Sequence, residues 1–212
     1  MLRINEIFHS IQGESTRAGE PCVFVRLTGC NLRCVWCDTE YAFHEGRGMS
    51  VAEVLERVES YGCGTVEVTG GEPLLQADVI PLLEELVRRN HVVLLETGGS
   101  LPIEGVPRGV RRIIDVKCPG SGEADRNRWE NLEHLRAGDE LKFVLVHRED
   151  YDWAVRQIQQ RGLVGRCPLL FSPVHGELGA GEMAGWVLED RLPVRVQLQL
   201  HKFLWPGVQR GV

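Results

Sequence analysis

The chain contains no uninterrupted apolar run approaching the roughly 18 residues that a membrane helix needs. Its opening, Met1-Leu2-Arg3-Ile4-Asn5-Glu6, lacks the long apolar core of a signal peptide. No long run of like charge occurs, no basic segment is appended, and the net charge is −6, so a broad nucleic-acid-binding face is not expected. The seven cysteines are odd in number and three of them are bunched, unlike a secreted disulfide framework. These absences together point to the cytoplasm. What is present is ordinary for a globular protein. With 43% hydrophobic and 25% charged residues, 212 residues can bury a real core, and that length favours one domain over 1–212.

Strand-like and helical stretches alternate along the chain. Ile7 to Ser15 reads as a strand or turn that ends in polar groups, and Val23 to Leu27 is the first main strand. Further strands are expected at Thr65 to Thr69, Val92 to Leu95, Arg112 to Lys117, Leu141 to Val146, Leu169 to Phe171 and Val194 to Leu200. Helices are expected at Ser50 to Tyr61, where Ser50 and Glu53 form a capping-box pattern, and at Val79 to Arg88. Three more fit near Arg128 to Arg136, Asp150 to Arg161 and Glu182 to Glu189. The link from Ser100 to Pro107 is too short and too rich in Pro and Gly for a helix. The expected architecture is α/β, a partial and open TIM-type βα barrel with about six parallel strands. In such a barrel the active site gathers at strand C-termini, where Cys30 to Thr39, Thr69 to Glu72, Glu96 to Gly98, Asp115 to Lys117 and Ser172-Pro173 would lie.

Cys30, Cys34 and Cys37 are spaced C-x₃-C-x₂-C directly after the first main strand. Thiolates suit iron–sulfur clusters, zinc or Cu(I), and no fourth cysteine follows at short spacing, which points to a metal site with one open corner. A zinc site completed by His44 or Cys63 is the alternative. The cysteine loop, with Asp38-Thr39 behind it and Thr69-Gly70-Gly71-Glu72-Pro73 later, resembles the radical S-adenosylmethionine superfamily. That resemblance implies a [4Fe–4S] cluster held by Cys30, Cys34 and Cys37, with S-adenosylmethionine on the fourth iron.

A narrower resemblance covers nearly the whole chain. Ile11-Gln12-Gly13-Glu14, Phe24 to Leu32, Asp115 to Gly122, Leu141 to Val144 and Gln199 to Trp205 are similar to the 7-carboxy-7-deazaguanine synthase family. The reaction so implied is a carbon–nitrogen lyase step on the route to queuosine. One electron cleaves S-adenosylmethionine to methionine and a 5′-deoxyadenosyl radical, which takes a hydrogen from C6 of 6-carboxy-5,6,7,8-tetrahydropterin. The ring then contracts and loses ammonia, and S-adenosylmethionine is regenerated.

By the same resemblance, Ile11, Gln12, Gly13, Glu14, Arg26, Thr69 and Pro206 would contact the pterin, and Thr39 would ligate Mg²⁺. Trp36, Cys37, Asp38, Gly71, Asp115, Lys117 and Ser172 would hold S-adenosylmethionine. An amide beside a carboxylate can match an amino-pyrimidinone edge, and a guanidinium can fork onto a carboxylate. A one-electron donor such as flavodoxin or ferredoxin, and a homodimer, are implied as well. Cys22, Cys63, Cys118 and Cys167 lack compact spacing and read as small buried residues. Three rival readings are a glycyl-radical enzyme activase, a non-catalytic iron–sulfur or zinc module, and an RNA-modifying radical enzyme. Gln12-Gly13-Glu14 argues against the first, the five polar strand ends against the second and the acidic balance against the third.

Overall fold

The computed structural model describes residues 1–212. Strand β1 (Leu2–Ile11) runs antiparallel to β2 (Pro21–Leu27) and, on its other side, to the short β3 (Arg47–Met49). From β2 onward every pairing is parallel, through β4 (Thr65–Gly70), β5 (Val92–Thr97), β6 (Val110–Val116), β7 (Glu140–Leu145), β8 (Leu169–Pro173) and β9 (Arg195–Val196). The sheet order is β3-β1-β2-β4-β5-β6-β7-β8-β9, and β3 and β9 are its unpaired edges. The barrel is therefore open. β2 and β4 to β8 are the six expected parallel strands, with β1 and β3 added as an antiparallel flank.

Helices α1 (Val51–Glu59), α2 (Val79–Arg88), α3 (Arg148–Gln160) and α4 (Ala180–Glu189) cover the outer face of the sheet, and α5 (Leu200–Leu204) lies near the C-terminus. The capping box starts α1 as expected: Ser50 Oγ accepts the Glu53 N–H at 3.2 Å and the Glu53 carboxylate accepts the Ser50 N–H at 2.7 Å. No helix separates β5 from β6, as the short Pro/Gly link requires.

Strand alternation divides each strand between two faces. Val23, Val25, Leu27, Val66, Val68, Val93 and Leu95 point outward into one buried cluster with the inner faces of α1 and α2. Leu141, Phe143, Leu145, Leu169 and Phe171 do the same against α3 and α4. Each such Val, Leu or Phe contributes about 1.5–3 kcal/mol by leaving water. The intervening positions, Arg26, Glu67, Thr69, Glu96, Asp115 and Lys142, point to the concave side and line a cleft. The core lies outside the sheet and the polar cleft inside it.

Two expected elements form differently. Arg128 to Arg136 is not an α-helix but a 3₁₀ segment, Trp129–His134. Asn131 there donates to the carbonyls of Gly99 and Leu101, and the fully buried Arg112 takes the His134 carbonyl, so tertiary partners replace the helical ones. The last strand shrinks to Arg195–Val196: the Gln197 N–H still reaches the Phe171 carbonyl, but the Gln197 and Gln199 side chains and the Leu200 N–H meet the loop after β1.

Candidate active site

The cysteine loop leaves the C-terminal end of β2 at Gly29, whose φ of 96° favours glycine. Next to it, β4 ends at Gly70, with Gly71 directly after it. A Cβ on Gly71 would stand 2.2 Å from the Gly29 carbonyl and 2.8 Å from Cys30 Cβ, and one on Gly70 would stand 2.3 Å from the Leu27 carbonyl. These glycines let the strand end press against the cysteine loop. Glu72, fully buried, then ties the ends of β4 and β5 together by accepting from Thr97 Oγ1 at 2.9 Å and from the Gly98 N–H at 2.8 Å.

Cys30, Cys34 and Cys37 are free thiols on the wall of a cleft of about 800 Å³. Burial pushes Cys34 up to about 11, against the pull of the nearby Lys117 ammonium, and burial raises Cys30 as well. No three His, Cys, Asp or Glu side chains converge on the geometry of a single metal ion. Three thiols from one short loop can each take a different corner of a cube. Lys117 Nζ lies 5.2 Å from the Trp36 ring centre and 2.8 Å from Asp115 Oδ2. Trp36 Nε1 and Asp115 Oδ1 are buried without a protein partner, so hydrogen-bonding capacity is left over beside the thiols. The residues present fit a cluster and a polar cofactor.

The opposite end of the cleft is built by the loop after β1. Because β1 runs antiparallel to β2, this loop starts at the N-terminal end of the parallel strands and crosses the mouth of the open barrel. Thr16 binds the Glu140 carboxylate at the foot of β7, and the Ser15 N–H reaches Gln197 Oε1 at 3.0 Å. The Gly13 carbonyl accepts the Leu200 N–H at 2.9 Å, and a Cβ on Gly13 would meet His201 Nδ1 at 2.2 Å. Gln12 and Glu14 project into the cleft from this bridge. Gln12 Oε1 accepts the Glu14 N–H at 3.1 Å, and Gln12 Nε2 donates to Glu67 Oε2 at 2.5 Å.

Lys142, on β7, is the centre of a charge network. Its ammonium meets Glu14 Oε2 at 2.9 Å, Glu96 Oε1 in a shorter contact, and Asp115 Oδ2 at 3.8 Å. The two neighbouring carboxyls, Glu67 and Glu96, are driven apart. Burial, reinforced by the Glu96 charge, pushes Glu67 up to about 8. Burial would raise Glu96 too, but Lys142 overrides it and holds that carboxyl down to about 2. Arg26 donates through Nε to Glu6 Oε1 at 2.8 Å, and its Nη atoms make no hydrogen bond within the protein. Thr69 Oγ1 donates to Glu96 Oε2 at 2.9 Å.

All but one of the residues singled out from the sequence share this cleft. Ile11, Gln12, Gly13, Glu14, Arg26, Trp36, Asp38, Thr39, Thr69, Gly71, Asp115, Lys117 and Pro206 line it with the three cysteines. Ser172 does not; it is 1% exposed within β8, and Val174 and His175 present that strand end instead. Of the remaining cysteines, Cys22 and Cys118 are buried as expected, whereas Cys63 and Cys167 are only partly so. Sequence reasoning passed over Glu67, Glu96 as a carboxylate, Lys142, Gln199 and His201. A signal for Glu67 and Lys142 existed: each is a lone charge between apolar neighbours in a strand.

The profile of the Radical SAM superfamily matches residues 24–118. A 7-carboxy-7-deazaguanine synthase from Koribacter versatilis is 46% identical over the full length of both chains. One from Chlorobaculum tepidum is 48% identical, covering 100% of this chain and 97% of its own. The chain belongs to the 7-carboxy-7-deazaguanine synthase family. It is a radical SAM enzyme, with a [4Fe–4S] cluster and S-adenosylmethionine as its cofactors. The crystal structure of QueE from Escherichia coli shares the fold, with a TM-score of 0.78 over 94% of each chain at 20% identity.

Proposed function

We propose that the protein converts 6-carboxy-5,6,7,8-tetrahydropterin to 7-carboxy-7-deazaguanine with loss of ammonia, supplying 7-deazapurine (queuosine) synthesis. The observation that carries this reading is one continuous cleft with three thiols at one end and an amide–carboxylate loop at the other. When bound, the cluster and S-adenosylmethionine supply the radical that removes the substrate hydrogen. Gln12, Gly13 and Glu14, with Ile11 before them, take the amino-pyrimidinone edge of the pterin. Arg26, whose Nη fork is free, takes the carboxylate, while Thr69 and Pro206 complete the wall. Trp36, Cys37, Asp38, Gly71, Asp115 and Lys117 hold S-adenosylmethionine, and the unpartnered Trp36 Nε1 and Asp115 Oδ1 support that assignment. At the β8 end, Val174 and His175 reach the cleft and Ser172 does not.

Thr39 faces the cleft, and its hydroxyl would supply one oxygen ligand to Mg²⁺, a hard cation that rarely takes a full protein cage. We further propose one domain in the cytoplasm, a flavodoxin- or ferredoxin-type electron donor, and a homodimer. No helix is long and apolar enough to cross a membrane. A monomer mass in solution would oppose the dimer.

The test is anaerobic turnover of the iron-reconstituted protein with dithionite, S-adenosylmethionine, Mg²⁺ and the pterin, followed by mass spectrometry. 7-Carboxy-7-deazaguanine is expected from the parent and not from Cys34→Ala. 5′-Deoxyadenosine without that product would refute the substrate, and neither compound from a cluster-loaded protein would refute the reading altogether.

A further inference from the structure

Gln12 is the residue whose orientation matters most to the proposed pterin pocket, since its amide can present either a donor or an acceptor. Two contacts decide which. The Glu14 N–H can only donate, so the atom 3.1 Å from it is Oε1 and the other end of the amide is Nε2. Nε2 lies 2.5 Å from Glu67 Oε2, on the neighbouring strand β4. Glu67 itself is 4% exposed, flanked by the outward-facing Val66 and Val68, and fixed in place by the β2–β4 and β4–β5 pairings. An ordinary core strand gains nothing from a carboxyl at that position, because an unsatisfied polar group costs about 1–3 kcal/mol there. Its one protein hydrogen bond is the one to Gln12.

We propose that Glu67 is a positioning residue for the substrate: through its hydrogen bond it locks the Gln12 amide so that the second Nε2 hydrogen is offered to the pterin. The inference rests on the pterin reading given above. A locked amide presents one donor pattern and accepts an amino-pyrimidinone in one orientation, which brings the same ring carbon to the radical at each turnover. An unlocked amide pays rotamer entropy on binding and admits the flipped pattern. The charged and titratable groups facing Glu67 are Glu96 from β5, Lys142 from β7, Glu14 from the bridging loop and Cys22 from β2. Burial first, and then the Glu96 charge, push Glu67 up to about 8, which favours its neutral form at neutral pH.

The experiment compares Glu67→Met and Glu67→Gln with the parent as cluster-loaded enzyme, measuring KM and kcat for the pterin and KM for S-adenosylmethionine. Glu67→Met is expected to raise the pterin KM about tenfold or more, as loss of one buried hydrogen bond does, and to leave the S-adenosylmethionine KM alone. Glu67→Gln keeps an acceptor oxygen for Gln12 Nε2 and is expected to bring the pterin KM back within about threefold of the parent. An unchanged pterin KM in Glu67→Met overturns the proposal. So does an equal loss toward both substrates, which marks a purely structural residue. If Glu67→Met does not fold, Glu67→Ala stands in for it, and an unchanged pterin KM there refutes the assignment. Failure of the parent to turn over the pterin refutes the proposed reaction instead, and the two failures are thus distinct.

Discussion

Lys142→Met removes the one ammonium that holds Glu14 and Glu96 together across the cleft. Breaking a buried pair by deleting one partner costs about 3–5 kcal/mol, because the other charge is left uncompensated. The lower end applies here. The Lys142 side chain is 5% exposed, but that of Glu96 keeps 28% and can draw on cleft water. About 3 kcal/mol in a chain of this size lowers Tm by about 6–12 °C.

The pH dependence separates this cause from lost packing. In the parent, Glu96 is held down to about 2 from an ordinary 4.5, so its contribution is complete above 4.5 and disappears as pH falls toward 2. In Lys142→Met that hold is gone, and burial raises the same carboxyl. The deficit therefore shrinks as pH is lowered, and melting curves should show a smaller difference from the parent at about pH 4 than at about pH 7. Glu96→Gln in the Lys142→Met background removes the stranded charge and should restore part of the loss at about pH 7. An equal deficit at both pH values, or no deficit, would refute the charge-network account.

Two further outcomes test the ends of the cleft. Gly71→Ala puts a methyl 2.2 Å from the Gly29 carbonyl and should displace the cysteine loop, lowering iron and sulfide bound per chain while the far-ultraviolet spectrum is retained. Arg26→Lys keeps the charge but not the planar fork, so the pterin KM should still rise about tenfold, with the KM for S-adenosylmethionine unchanged.

The parts legible in the sequence were those governed by short-range chemistry. Thiol spacing announced the metal site at Cys30, Cys34 and Cys37, the Ser50–Glu53 capping box set the start of α1, and the Pro/Gly link excluded a helix before β6. Strand positions followed from runs of aliphatic residues, and with them the open barrel.

Long-range partners decided the rest. The expected helix at Arg128 to Arg136 became 3₁₀ because Asn131 and Arg112 found carbonyls that no local pattern reveals. The last strand gave way to contacts with a loop more than 180 positions earlier in the chain, as the Ser15–Gln197 separation of 182 shows. Thr69-Gly70-Gly71-Glu72-Pro73 was visible as a motif, but only packing showed that the Gly29 carbonyl and Cys30 stand against its glycines.

The cleft floor shows the division most clearly. Gln12-Gly13-Glu14 was visible as a motif, yet what orients it comes from β4, β7 and the C-terminal segment through Glu67, Lys142 and Gln199. A charge inside an aliphatic strand announces in the sequence that it faces something polar. Which opposite charge it faces depends on sheet order, because strands far apart in the chain meet only when the sheet curls.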